Sequence, residues 1–263
     1  HTDQRQCFIT SHSAVVVSAA AEAQLWFLSP TGEIGALHKE KVKRLQERVP
    51  ETFLARTAVI AEGKTELGFL KSLLEEAFGR DPLDYGVRVC YGEGNDATLQ
   101  LLEALRDAGL IFAGLADNEG RNLGRWAELK EALGDRLFQW PNSCTEGEVL
   151  SLIDEDDLAH LFQYPDGSWN GERARTVADR LGSQAIDYDS LKEAAKANGI
   201  SLKDASIAAA TGDTNGAPED NRKTWKSHER RWFKSEDGGS ELYSLAKRVG
   251  VWATLAPNFL PLV

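Results

Sequence analysis

The spacing of apolar residues changes rhythm along the chain. From Thr57 onward, short apolar runs alternate with amphipathic stretches, and Thr57–Ala61, Val87–Tyr91, Leu110–Ala116 and Leu137–Trp140 read as strands. Lys64–Phe78 is predicted as a helix with Leu67, Leu70, Leu74 and Ala77 on one face. A helix carrying Leu101, Leu102 and Leu105 follows the second strand, and Trp126–Leu133 precedes the fourth. Strands separated by helices of this length imply right-handed crossovers and a parallel sheet. After Thr145 the strand signals stop, and Glu146–Leu161, Gly171–Leu181, Asp189–Ala197 and Ser240–Val249 read as helices. Thr211–Asn221 is turn-rich and reads as a mobile loop, and Ala217–Gly239 is strongly charged. Ahead of Thr57, a strand (Cys7–Thr10) and a helix (Ala14–Ala23) are expected, then a strand (Leu25–Leu28) and a turn at Pro30-Thr31-Gly32 into another short strand. Lys39–Arg48 reads as a charged helix closed by Pro50. The expected fold is α/β, a parallel sheet flanked by helices, with an additional C-terminal helical subdomain.

Composition narrows the class. The chain has 263 residues, 42% hydrophobic and 27% charged, which is ordinary for a soluble globular protein. No apolar run reaches membrane-spanning length and no signal-peptide layout is visible, so a cytoplasmic protein is expected. A start at His1 and the absence of methionine suggest an excised fragment. Cys7, Cys90 and Cys144 are isolated and form no CxxC pair, so neither a disulfide framework nor a cysteine zinc site is expected. The net charge of −11 argues against wholesale non-specific binding of nucleic acid. It leaves open an enzyme that works on nucleic acid through an acidic, metal-holding site.

Carboxylates fall where such a site would be. In an open parallel sheet, ligands bind beyond the carboxyl ends of the strands. Glu62 follows the first strand, Asp117-Asn118-Glu119 the third, and Glu146 and Glu148 come soon after the fourth. Glu66 is one helical turn beyond Glu62. Taken singly, each acid has an ordinary explanation at the start of a helix, where it complements the macrodipole. Together they would repel one another unless a cation lay between them. Hard oxygen ligands suit Mg²⁺ or Mn²⁺, and two such ions roughly 3.5–4 Å apart suit in-line displacement at phosphorus.

The stretches "VIAEGKTE" and "IFAGLADNEG" resemble the Toprim fold shared by topoisomerases, bacterial primases and several nucleases. In that family a glutamate follows the first strand and a D-x-D pair follows the third. The resemblance gives Glu62 the first role and Asp117 with Glu119 the second. Glu119 departs from the family's aspartate, which keeps an oxygen ligand but lengthens its reach. "QCFITSHS" is similar to the last strand and switch-histidine loop of ABC-type ATPases, with His12 in the histidine's place. An ATPase end running into a Toprim domain is the arrangement of the OLD (overcoming lysogenisation defect) nucleases. "CTEGEVLSL" looks like that family's acidic helix start, and "RRWFKSEDGGSEL" like its C-terminal segment with a lysine near the metals. The implied organisation is the end of an ATPase domain and a linker over residues 1–50, a Toprim catalytic domain over 51–153, and a helical insert with a C-terminal helical segment over 154–263. The rest of the ATPase domain would lie in cis. No G-x-x-x-x-G-K-[ST] loop is present, so this stretch is not expected to hydrolyse ATP itself.

The resemblance implies a divalent-metal-dependent DNA endonuclease. Glu62, Asp117 and Glu119 would hold one Mg²⁺ or Mn²⁺, and Glu66 with Glu146 or Glu148 would help hold a second. Lys234 would stabilise negative charge at the scissile phosphate. The residues themselves add a basic and aromatic cluster, "NRKTWKSHERRWFK". Arg222, Lys223, Lys226, Arg230 and Arg231 could contact phosphates there, and Trp232 could stack on bases. The other reading of Trp232 and Phe233 is as core anchors of a helix. The alternative function is a non-catalytic Toprim module for DNA binding or assembly. A primase would carry a zinc-binding segment and a topoisomerase a strand-cleaving tyrosine in a separate domain, and neither is visible.

Overall fold

The structure, a computed structural model, describes residues 7–259 apart from residues 21, 29–31, 33 and 185. The chain enters through helix α1 (Ala14–Ala19) and an antiparallel hairpin of β1 (Trp26–Leu28) and β2 (Ile34–Ala36). Helix α2 (Lys39–Arg48) and a 3₁₀ turn over Pro50–Leu54 follow. Cys7–Thr10, expected as a strand, is irregular, because no strand lies beside it among the described residues to complete a ladder. Of the expected turn at Pro30-Thr31-Gly32, Pro30 and Thr31 lie outside the described residues.

Then the rhythm becomes α/β. In order come β3 (Thr57–Ala61), α3 (Lys64–Phe78), β4 (Val87–Tyr91), α4 (Asn95–Asp107), β5 (Phe112–Ala116), α5 (Leu123–Leu133) and β6 (Leu137–Gln139). All four strands are parallel, in the order β4-β3-β5-β6. After β4 the chain therefore crosses over β3 and continues on the other side. That reversal makes the carboxyl ends of β3 and β5 the switch point, where a parallel sheet opens a crevice.

Side chains alternate across the pleat. Val59 and Ala61 of β3 with Ala113 and Leu115 of β5 face α3 and the C-terminal helices. Ala58, Ile60, Phe112 and Ala116 face α4, α5 and the N-terminal helices, where Val17, Val42 and Leu45 join the second cluster.

The remainder is helical: α6 (Thr145–Ser151), a 3₁₀ segment over Glu155–Phe162, α7 (Gly171–Leu181), α8 (Tyr188–Ala197) and α9 (Leu202–Thr211). They are followed by α10 (Arg222–Ser227), α11 (Glu236–Arg248) and α12 (Trp252–Phe259). These helices share the first apolar cluster with the sheet. Phe69 of α3, Trp140 beyond β6 and Phe259 of α12 meet with ring centroids 5.6–5.7 Å apart. Each such ring, fully buried, contributes on the order of 1.5–3 kcal/mol. Apolar packing thus runs continuously across position 153.

Helices α3 and α11 approach very closely. A Cβ at Gly68 would lie 1.8 Å from the carbonyl oxygen of Glu236, and one at Gly239 would lie 2.0 Å from that of Thr65. Only glycine lets the two backbones touch, and this contact carries the segment before α11 to the edge of the sheet.

Candidate metal centre

Glu62 is the first residue past β3, and its N–H continues the ladder to Leu115 O at 3.0 Å. Its carboxylate points inward. Oε2 accepts the backbone N–H of Asp117 at 2.9 Å and the Asn95 amide at 3.0 Å. Asn95 opens α4 after the Gly92–Gly94 loop and is itself held by the Trp126 indole N–H at 3.2 Å. Asp117, the first residue past β5, accepts at Oδ1 from the N–H of Thr145 at 2.9 Å and from its hydroxyl at 3.2 Å. Those bonds tie the end of β5 to the start of α6.

Glu66 and Glu146 complete the group. Glu62, Glu66, Asp117 and Glu146 are 4%, 2%, 8% and 0% exposed. Lys234, just ahead of α11, donates from Nζ to Glu146 Oε2 at 3.0 Å. The Thr65 hydroxyl lies 2.7 Å from Glu146 Oε1 and 2.8 Å from the carbonyl oxygen of Phe233. Its single proton serves one acceptor at a time.

Burial without enough countercharge shows in the protonation equilibria. Desolvation, opposed by the bond from Asp117 N–H and reinforced by the charge of Glu66, pushes Glu62 up to about 7. Desolvation, then the charges of Glu66, Glu146 and Glu62, raises Asp117 strongly. Glu66 is raised by desolvation and then by Glu146. For Lys234, burial works against the charged form, but Glu146 and then Cys144 outweigh it and raise the ammonium above its ordinary value.

A divalent cation fits this set. The donors are hard oxygens, and Glu66 Oε1 is buried with no hydrogen-bond partner among the described residues. A buried, orphaned carboxylate oxygen beside other carboxylates is a position a cation would satisfy. Asp117, Cys144 and Glu146 also bring one ligand atom each to within 4.8 Å of one another.

The family model described as "Overcoming lysogenization defect protein-like, TOPRIM domain" matches residues 53–118, which span β3 to the end of β5 and include Glu62, Glu66 and Asp117. The chain carries an OLD-like Toprim domain. Among solved structures, the C-terminal region of the Xanthomonas campestris pv. campestris OLD protein is 14% identical, with 75% of this chain and 87% of that chain covered and a TM-score of 0.38. The C-terminal region of the Burkholderia pseudomallei OLD protein is 15% identical, with 74% and 88% covered and a TM-score of 0.34. No curated protein matches.

Within and around the Toprim domain, the remaining expected site residues fall in different places. Glu119 sits at the rim, its side chain 42% exposed and 3.8 Å from Arg121, and it reaches Glu62 through its charge alone. Glu148 turns away, because its Oε1 accepts the Asn142 N–H at 2.8 Å and fastens the loop before α6. Glu146 therefore joins the cluster and Glu148 does not.

Arg222, Lys223, Lys226, Arg230 and Arg231 are all exposed on α10 and the 3₁₀ turn that follows it. Three of them pair locally: Arg222 with Glu219 at 3.6 Å, Lys226 with Glu229 at 3.0 Å, and Arg231 with Glu172 at 3.3 Å. Trp232 is not a stacking platform. It is 5% exposed, its indole N–H is bonded to the Thr176 hydroxyl at 2.9 Å, and Phe233 beside it is fully buried. Over both rings lies the buried guanidinium of Arg173, 4.4 Å from the Phe233 centroid and paired with Glu241 at 2.7 Å. The two aromatics anchor the segment that delivers Lys234.

Asn95, Thr145 and Cys144, none of them expected from the sequence, all touch or border the acids. The rule that located Glu62 and Asp117 applies to Asn95 as well, since it too starts a helix after a strand end. Thr145 and Cys144 stand beside Glu146, but nothing in their local pattern separates them from ordinary helix-start residues.

Proposed function

We propose that this chain is a divalent-metal-dependent DNA endonuclease module that hydrolyses phosphodiesters with Mg²⁺ or Mn²⁺, the C-terminal part of an ATPase-linked protein.

 The observation that carries this reading is the burial of Glu62, Glu66, Asp117 and Glu146 together at the switch point of the sheet, with Lys234 beside Glu146. Four carboxylates buried in one place are costly unless cations share the charge.

Glu62 and Asp117 would hold one ion, with Glu119 able to join from the rim. Glu66 and Glu146 would hold a second. Bound there, divalent cations supply Lewis-acid stabilisation of the phosphoryl oxygens. The chain does the rest. Asn95 and the Asp117 N–H fix one oxygen of Glu62, and the other would meet the ion. Thr145 fixes Asp117 in the same way. Lys234, held beside Glu146 at the same edge, would meet the negative charge that builds on the phosphate. Arg222, Lys223, Lys226, Arg230 and Arg231, exposed on α10 and the turn that precedes Lys234 in the chain, would contact a phosphate backbone.

The test is nicking of supercoiled plasmid by the purified chain in Mg²⁺ or Mn²⁺. Glu62→Ala and Asp117→Ala are each expected to lower the rate by at least about a hundredfold, in line with the loss of a charge-stabilising group. Full activity in either variant would sink the mechanism. DNA binding without divalent-metal binding would put the non-catalytic reading in its place.

A further inference from the structure

We propose that Cys144 is a metal ligand, and that with Asp117 and Glu146 it forms a carboxylate–thiol–carboxylate triad that takes thiophilic divalent cations of the zinc and cadmium class in preference to Mg²⁺. Cys144 occupies the residue before α6, directly ahead of Thr145 and Glu146, with an extended backbone (φ −86°, ψ 166°). That placement brings Sγ, one oxygen of Asp117 and one of Glu146 to within 4.8 Å of one another. Zinc bonds of about 2.3 Å to sulfur and 2.0–2.2 Å to oxygen require the three atoms to close in by about 1 Å from that spacing.

The donor set decides the preference. Carboxylates alone suit Mg²⁺ or Mn²⁺, whereas a sulfur among them shifts the balance toward zinc and its heavier relatives. A second observation points the same way. Glu66 Oε1 is buried without a hydrogen-bond partner among the described residues, and Glu66 acts electrostatically on both Asp117 and Glu146. Its carboxylate borders the triad, although among the described residues only Asp117, Cys144 and Glu146 bring ligand atoms within 4.8 Å of one another. The other cysteines are elsewhere: Cys7 is exposed near the start of the chain, and Cys90 is buried with its Sγ 2.9 Å from the Thr52 hydroxyl. On binding, the cation replaces the thiol proton, which leaves to solvent. The S–H bond breaks as the metal–sulfur bond forms, and no oxidation state changes.

Cys144's role rests on the metal-dependent reading of the site given above. It adds regulation to it: zinc would compete for the position that Mg²⁺ needs.

Co²⁺ serves as the probe, added to the whole chain and followed by absorption. Wild type and Cys7→Ser are expected to show a sulfur-to-cobalt charge-transfer band, which Cys144→Ser and Cys144→Ala lose. By calorimetry, Cys144→Ser should weaken Cd²⁺ binding by at least about tenfold, as expected when a ligand is removed, and weaken Mg²⁺ binding much less. Co²⁺ binding to wild type without the band would overturn the assignment, whatever the variants do. So would a band that survives in Cys144→Ser. Nicking in Mg²⁺ is scored separately: a chain that shows the band but never nicks keeps the triad and loses the nuclease reading, and one that nicks without the band does the reverse.

Discussion

Gly63 has an ordinary extended backbone, with φ at −119°, so its missing side chain concerns space rather than torsion. A Cβ there would lie 2.4 Å from Glu66 Oε2. Glu66 is buried on its other sides and has little room to yield. Gly63→Ala is therefore expected to displace the Glu66 carboxylate and weaken divalent-metal binding by about tenfold while the fold persists, which calorimetry and circular dichroism would show. The acids also set a pH dependence. Glu62 ordinarily titrates near 4.5 and is pushed up to about 7 in the folded chain. Between those values the folded state holds a proton that the unfolded state has released. Metal-free stability should thus fall as pH rises through that window, by up to about 3 kcal/mol from Glu62, and Asp117 acts in the same direction. Melting curves from pH 5 to 8 with and without Mg²⁺ check the sign: the melting temperature should drop with pH in chelator, and Mg²⁺ should raise it most at the alkaline end. A melting temperature that climbs with pH in chelator would contradict the cause given for the shift.

Helix α3 is packed on two sides, because it lies between the sheet and α11. Its expected apolar face of Leu67, Leu70, Leu74 and Ala77 proves too narrow: Thr65, Gly68, Phe69 and Leu73 are buried too, and Ala77 is exposed. One-sided periodicity describes a helix with one partner, and this one has two. Gly239→Ala should cost stability on the order of 1–3 kcal/mol or more, since the added methyl meets backbone that cannot rotate away. Urea denaturation would measure it. An unchanged midpoint would mean that the two helices do not cross as closely as described.

The bounds of β3, α3, β4, α2 and α7 follow directly from the sequence, because strong apolar patterns there end at glycine, proline or charge. Elsewhere the signal was weak or misleading. The helix expected over Glu146–Leu161 breaks, since Asp154 is extended and the acidic run Asp154–Asp157 starts a separate 3₁₀ turn. Helix α9 went unseen because alanine dominates it, yet those small side chains let Ala205, Ala209 and Ala210 pack tightly. Helix α12 holds Pro257, which argues against a helix locally, while Phe259 finds its place among Phe69, Phe138 and Trp140. Of the site, Glu62, Glu66, Asp117 and Glu146 were legible because strand ends are predictable places. The inward turn of Trp232 was not, because an aromatic beside arginines reads equally well as a base platform or as an anchor.

At the scale of the whole molecule, the sheet supplies the edge and the C-terminal helices supply the cation. No helix among the described residues is long and apolar enough to cross a membrane. One apolar cluster joins the sheet to the C-terminal helices, so Lys234 is held near residues more than 80 positions earlier in the chain. Its ammonium, 3.0 Å from both Glu146 oxygens, is a competitor supplied by the protein itself at a fixed local concentration. A divalent ion bound at Glu146 would have to compete with it, and the tether would then set a threshold for metal. Lys234→Ala should lower that threshold, giving tighter Mn²⁺ binding by calorimetry together with slower nicking. Weaker binding in that variant would mean that the lysine helps to build the site instead of guarding it. A residue that holds the place of the metal when metal is scarce, and turns to the phosphate when metal arrives, would make the chain responsive to the ion supply around it.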